Sequence, residues 1–427
     1  MAIPSPGPHD PTARSRDELI SDCVHCGFCL PTCPTYVLWG EEMDSPRGRI
    51  QLMLQQSQGE PLTPTMAGHF DACLGCMACV TACPSGVQYD KLIAGTRIQV
   101  EDSVPRDASS RALRALVFGL FPHPVRLRAA KVPLMLYQWM GLPFKSLLPK
   151  TLATLTDLVP PARRTVPLPS RVCAIGPRRA VVGMLTGCVQ GAFFPAVNAA
   201  TARVLAAEGC DVVIPPAQPC CGALSIHSGR AVEAAAFARR IVDTFSTAAI
   251  DALVVNAAGC GSSLKEIGAL LADDPAYAAR AVALAEKVRD LSEILVELGP
   301  VAPRHPLRLT AAYHDACHLA HAQGIRQQPR TLLAAIPGLT VREIPDADIC
   351  CGSAGVWNIL NPAPAAQLAD RKANDVLSTG ADVLVTANPG CLMQIAAGVT
   401  RSGNTIRLAH TAQLLDASIR ALPLPHH

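Results

Sequence analysis

Two runs of cysteine decide what this chain can become. Residues 23–34 read CVHCGFCLPTCP and residues 73–84 read CLGCMACVTACP. Each is Cys-x2-Cys-x2-Cys-x3-Cys-Pro, and the second follows the first by 73 − 23 = 50 residues. This spacing holds the 4Fe–4S clusters of two-cluster ferredoxins. Three thiolates in a tight loop wrap one face of a cubane, and the fourth points away to the other cluster. The expected sets are therefore Cys23, Cys26, Cys29 and Cys83, and Cys73, Cys76, Cys79 and Cys33. Pro34 and Pro84 fix φ after the last ligand and turn the chain away. Zinc is the alternative occupant, but it takes four ligands per site, usually as two pairs across a long spacer rather than as compact tetrads. Between the runs, Ser45 can cap a helix whose first turn holds Pro46. Arg47 and Arg49 then lie either near the clusters, favouring their reduced form, or in solvent at the helix start.

The rest of the composition agrees with metal rather than disulfides. At 427 residues the chain has room for about three domains of roughly 150 residues. Apolar residues make up 49% and charged residues 17%, which supplies ample core. The net charge of +3 is too small to imply nucleic acid. The opening MAIPSPGPHDPTARSRDELI lacks the basic-then-apolar pattern of an export signal. No window offers about 18 consecutive apolar residues, and the longest apolar region is interrupted by Pro133, Pro143 and Pro149. Clustered thiols in such a chain point to a cytoplasmic metal protein.

From about residue 179 short apolar runs alternate with Ala-rich stretches, as in RAVVGMLTGC, PAVNAATARVLAAEG and CDVVIP. DALVVNAAGC, LRLTAAYHDAC, LTVREIP and ADVLVTANPGC continue the theme, which predicts parallel βαβ layers. This half is duplicated. Cys188, Cys220-Cys221-Gly222 and Cys260 recur as Cys317, Cys350-Cys351-Gly352 and Cys391, at offsets of 317 − 188 = 129, 350 − 220 = 130 and 391 − 260 = 131. Cys188, Cys260, Cys317 and Cys391 each close a predicted strand before a helix, the edge where parallel sheets bind anions. These eight thiols are candidate ligands of one or two further clusters. Cys173 and Cys210 read as free core thiols. His227, His314 and His318 read as neighbours of the thiols or surface residues rather than ligands.

The expected fold is α/β and multidomain. Residues 1–104 form a helical two-cluster ferredoxin-type domain, and 105–178 a helical connector with a Pro-rich linker. Two pseudo-symmetric Cys-Cys-Gly repeats with parallel sheets follow at 179–303 and 304–427. The connector carries Arg111, Arg114, Arg126, Arg128 and Lys131 among apolar residues. It reads either as a bridge packed between domains or as a basic amphipathic surface for a membrane.

CVHCGFCLPTCPTY, DSPRGRI, CLGCMACVTACPSGVQY, NAATARVLAAEG and CCGSAG, in this order, resemble the iron–sulfur subunits of bacterial glycolate oxidase. The resemblance covers nearly the whole chain, least closely over 100–178. It implies an oxidoreductase subunit that takes electrons from FAD-containing subunits, which oxidise glycolate to glyoxylate, and passes them to a quinone or other acceptor. It also implies association with the inner face of the cytoplasmic membrane. The Cys-Cys-Gly repeats resemble heterodisulfide reductase as well, where each repeat ends in Cys-x-x-Cys. Here Ser263 and Gln394 stand at the final position, which weakens a thiol–disulfide reading. No GxGxxG or Walker loop is present, so no flavin is expected in this chain. Hydride removal from a hydroxy acid needs an organic cofactor, and iron–sulfur clusters take electrons singly, so substrate oxidation belongs to a partner. The same relay in a D-lactate or glycerol-3-phosphate dehydrogenase is the alternative within the class.

Overall fold

The computed structural model describes residues 14–140 and 167–424, with side chains from 134 to 140 left aside. Most of the Pro-rich linker and the 141–159 part of the connector lie outside these residues.

Residues 14–104 are helical, with no strand among the described residues. Local chemistry sets the helix starts. Ser45 accepts from the Gly48 amide and Pro46 occupies the first turn of the helix Pro46–Ser57. Thr63 and Pro64 start Pro64–Ala72 in the same way. These helices and Tyr89–Ser103 enclose Ile50, Met53, Phe70, Leu92, Ile93 and Val100, and the cysteine loops hang from their ends.

The strands begin at β1 (Arg171–Val172) and β2 (Ala180–Met184), followed by β3 (Cys210–Val213), β4 (Ala252–Val255) and β5 (Val288–Asp290). The second repeat supplies β6 (Leu309–Tyr313), β7 (Leu339–Glu343), β8 (Val383–Val385) and β9 (Arg407–Ala409). The sheet orders are β1-β3-β2-β4-β5 and β7-β6-β8-β9. All pairs are parallel except β1 on β3. Without that edge strand the two sheets have one topology, in which the chain starts in the middle and reverses direction between β2 and β4, or between β6 and β8. Ligands bind at such switch points, beyond the carboxyl ends of the strands. β4 and β8 are buried at every residue, as strands covered on both faces must be.

The repeats share one core. The helix Pro195–Ala207 packs on Thr411–Ile419, and Leu291–Leu298 packs on Gln327–Ala334. Each pair joins the same two elements taken from opposite repeats, which is the reciprocity of a two-fold axis. Val197, Leu205, Ile294, Leu332, Leu414 and Leu415 belong to this common cluster.

The connector helices Ala108–Leu120 and Pro124–Met140 bridge the parts. Arg114 pairs with Glu101 at 2.6 Å, Lys131 donates to the Ala192 carbonyl at 3.0 Å, and Val117 and Phe118 pack on Val356 and Ile359. Over its described residues the connector is therefore the packed bridge.

One expectation needs correction. Cys210 is buried in β3, but Cys173 is exposed, because it follows an edge strand of two residues.

Candidate iron–sulfur centres

The two N-terminal loops have the same backbone. Positive φ occurs at His25 (52°) and Gly27 (88°) on either side of Cys26, and at Gly75 (66°) and Met77 (63°) on either side of Cys76. Alternating handedness turns successive amides toward one side and forms an anion-binding nest. An arginine closes each loop. Arg47 donates to the His25 carbonyl at 3.0 Å, and Arg97 donates to the Cys73 carbonyl. A Cβ on Gly27 would lie 2.8 Å from Arg47 Nη1, and one on Gly75 would lie 2.9 Å from Arg97 Nη1. The arginines are 97 − 47 = 50 residues apart, the spacing of the tetrads. That period was the sequence signal for Arg97, which motif reading missed.

The loops bring the thiols together in the crossed pattern. One hollow is bordered by Cys23, Cys26, Cys29 and Cys83, and a second by Cys33, Cys73, Cys76 and Cys79. Cys79 reaches both. Thiolates sharing one tetrahedral zinc would lie about 3.8 Å apart. Among the described residues, no three thiols of either tetrad lie within 4.8 Å of one another. The donor sets therefore fit a cubane, which spreads its ligands further apart, better than one ion.

Charge supports the fit. Arg49 is 1% exposed. It donates to the His69 carbonyl at 2.6 Å and to Thr35 Oγ1 and Asp44 Oδ1 at 3.2 Å each. Burial works to raise the Cys73 thiol, but Arg49, Arg97, the Tyr89 hydroxyl at 3.6 Å and the Gly75 amide at 3.4 Å hold it below the usual thiol range. Burial pushes Cys76 and Cys79 well up and Cys29 up to about 11. Such thiols become thiolates when iron displaces their protons. The first loop faces outward, with Cys26, Val24 and Phe28 exposed.

The other eight thiols line a single cavity of about 170 Å³ between the repeats, together with Cys76, His227 and His318. Cys188 and Cys317 cap the turns that follow β2 and β6, the second of them a π-helical turn, His318–Ala322. Cys260 and Cys391 sit inside the first turns of Ala258–Lys265 and Pro389–Arg401, rather than just before them. Gly222 and Gly352 share φ of +85°, which turns the backbone directly after each Cys-Cys pair. Cys188 Sγ lies 3.6 Å from Cys220 Sγ, and Cys221 approaches Cys260. In the second repeat Cys317 approaches Cys350, and Cys351 approaches Cys391. The neighbouring thiol and burial push Cys188 and Cys317 well above the usual range.

The histidines are more involved than the sequence suggested. His227 and His318 stack at 4.7 Å with planes 12° apart. His318 Nε2 lies 3.1 Å from the Gly75 carbonyl, so Nε2 carries the proton and ties the second ferredoxin loop to the second repeat. His314 is buried among thiols.

Comparison with known proteins gives three family matches. Residues 19–87 match a 4Fe-4S dicluster domain, and 182–265 and 311–396 each match a cysteine-rich domain. Residues 109–159 match the linker region of glycolate oxidase iron-sulfur subunits. The chain is 38% identical over 412 residues to the glycolate oxidase iron-sulfur subunit of Escherichia coli (strain K12), covering 94% of this chain and 96% of that one. It is 38% identical over 422 residues to the probable glycolate oxidase iron-sulfur subunit of Bacillus subtilis, covering 94% of each. Lactate utilization protein A of Bacillus cytotoxicus is 32% identical over 237 residues, 55% of this chain and 98% of that protein. A crystal structure of a hypothetical protein from Helicobacter pylori shares the fold, with a TM-score of 0.57 at 10% identity over 95% of this chain and 73% of that one.

Proposed function

Because this chain belongs to the family of glycolate oxidase iron–sulfur subunits, we propose that it conducts electrons from FAD-containing subunits that oxidise glycolate to glyoxylate toward a quinone. Cys23, Cys26, Cys29 and Cys83 hold one 4Fe–4S cluster in this reading, and Cys33, Cys73, Cys76 and Cys79 the other. Cys188, Cys220, Cys221, Cys260, Cys317, Cys350, Cys351 and Cys391 hold further iron. When bound, such clusters accept and release single electrons, with potentials set by charge, hydrogen bonds and exposure.

One observation carries the proposal. The thiol sites are contiguous: Cys79 borders both N-terminal hollows, and Cys76 borders the second hollow and the central cavity. The residues around them do the work of a conductor's sheath. Arg49 and Arg97 offset negative charge at the second site, and Leu74, Ala78, Ile349 and Trp357 keep its approach to the second repeat apolar. Exposed Cys26 makes the first site the one open to a partner. The segments 1–104, 105–178, 179–303 and 304–427 then act as cluster carrier, bridge and paired repeats. No helix among the described residues is long and apolar enough to cross a membrane. A quinone acceptor places the chain in the cytoplasm, peripheral at the membrane's inner face.

A thiol–disulfide enzyme needs an accessible thiol of lowered pKa, whereas Cys188 and Cys317 are buried and raised. Assays of the purified complex with glycolate, D-lactate and glycerol 3-phosphate decide the partner's substrate.

The test is Cys76→Ser in the assembled complex. Iron falls by about four per chain, quinone reduction is abolished, and reduction of the flavin by glycolate persists. Loss of flavin reduction in an assembled variant overturns the division of labour, as does a colourless, iron-free wild-type chain.

A further inference from the structure

The two repeats are built alike but furnished differently. Subtracting the 129-residue offset of Cys317 and Cys188 places His314 on 314 − 129 = 185, which is Leu185. Subtracting the 131-residue offset of Cys391 and Cys260 places Lys372 on 372 − 131 = 241, which is Ile241. Leu185 and Ile241 sit in the apolar core of the first repeat. The second repeat puts an imidazole and an ammonium in the corresponding places, and both are 1% exposed.

Neither nitrogen of His314 has a hydrogen-bond partner among the described residues. An orphaned buried polar group costs about 1–3 kcal/mol, and leucine in the first repeat shows that the fold does not need it. What His314 has nearby is sulfur. One ring nitrogen, Cys351 Sγ and Cys391 Sγ all lie within 4.8 Å of one another, the only such trio among the described residues. Bonds of about 2.1 Å to nitrogen and about 2.3 Å to sulfur on one tetrahedral metal space such atoms by about 3.6–3.8 Å, so the trio stands within about 1 Å of coordination. Lys372 donates to the Asp346 carbonyl at 2.5 Å and lies near enough to Cys317 to favour its thiolate. The Asp375 carboxylate at 3.7 Å supplies part of the negative charge that a buried cation requires.

We propose that His314 is a ligand of the iron centre in the second repeat, bound alongside Cys351 and Cys391, in the repeat whose closing Cys-x-x-Cys motif has Gln394 in place of its last thiol. The first repeat, with leucine there, has thiolates alone. The two centres therefore have four thiolates each and differ in this one neutral nitrogen donor. An imidazole where a fifth thiolate would otherwise bind keeps the potential of an iron–sulfur centre higher, and the centre so tuned is the one whose Cys317 and Cys350 lie beside Cys76. The inference rests on iron being held in the repeats.

The test uses the anaerobically purified complex, made with natural-abundance or ¹⁵N-labelled histidine and examined by pulsed EPR and iron analysis. In the wild type, a coordinated-imidazole nitrogen coupling is expected that changes on ¹⁵N-histidine labelling. In His314→Leu that coupling disappears while the signals of the two N-terminal clusters stay as they were. In His314→Cys iron is retained, the nitrogen coupling is absent and the potential falls. A wild-type complex with more than about eight irons per chain and no histidine-dependent coupling overturns the proposal, and so does a coupling that survives His314→Leu. Only about eight irons, all in the N-terminal pair, also overturns it, yet leaves the relay by those two clusters standing. Failure of the Cys76→Ser prediction is thus a separate outcome.

Discussion

Arg49 and Arg47 begin the same helix and do different work. Arg47 pairs with Glu42 at 2.6 Å where both side chains reach solvent, an arrangement worth at most about 1 kcal/mol. Arg49 is enclosed, and its guanidinium joins Asp44, Thr35 and the His69 carbonyl beneath the second thiol set. Arg49→Met nearly preserves volume but takes the guanidinium from the Asp44 carboxylate, which keeps the His69 ring at 3.0 Å, and breaking such a buried pair costs up to about 3–5 kcal/mol. It also removes a positive charge from beside Cys73, worth about 1–3 kcal/mol to a nearby anion at an effective dielectric near 20. The expected result is a lower melting temperature and one N-terminal cluster that is harder to reduce, read by EPR-monitored redox titration. Arg49→Lys restores the potential but not the stability, because an ammonium keeps the charge and loses the planar fork. Arg47→Met leaves the potential of that second site nearly unchanged, because Arg47 holds the His25 carbonyl of the first loop instead. An unshifted potential in Arg49→Met would show that Arg49 is purely structural.

At the scale of elements, the connector decides between bridge and membrane surface. Phe118 is 2% exposed, packs on Val356 and Ile359, and carries the Arg230 guanidinium over its ring at 4.6 Å. Phe118→Ala should cost about 3–5 kcal/mol. Amide exchange is then expected to quicken in Ala108–Leu120 and around Val356, while the strands of both sheets stay protected. Exchange unchanged in that helix would mean that the bridge is held elsewhere. Which elements were legible follows from their chemistry. β2, β4, β6 and β8 announced themselves as apolar runs ending in a cysteine, and Ser45-Pro46 announced a helix start. β5 reads Val-Arg-Asp and β9 reads Arg-Leu-Ala, too short and too mixed for any period to show. The eight N-terminal thiols and the duplicated four were readable because ligand spacing is local. Arg97, the His227–His318 stack and buried His314 were not, because their partners lie 97 − 73 = 24, 318 − 227 = 91 and 391 − 314 = 77 residues away, beyond the reach of any short ligand spacing.

For the molecule as a whole, the central cavity exists only if the repeats keep their two-fold pairing, and one residue pins the passage between them. Glu208 is 1% exposed. Its carboxylate accepts from the Val301 amide at 2.6 Å, the Ala302 amide at 3.1 Å and Arg304 at 2.5 Å. Glu208→Gln keeps the shape but can accept at one oxygen only, and it turns an amide N–H toward a guanidinium that is itself buried. Breaking a buried pair in this way costs about 3–5 kcal/mol. Because Val197 and Leu205 of one repeat and Leu414 and Leu415 of the other belong to one core, the loss cannot stay local. Calorimetry of the intact chain should therefore show the repeats melting together at a lower temperature, in a single transition shifted by several degrees for a unit of some 250 residues. Two separate transitions in the variant would mean that each repeat is stable alone, and the shared core would then be a contact surface rather than the condition for the cavity between them.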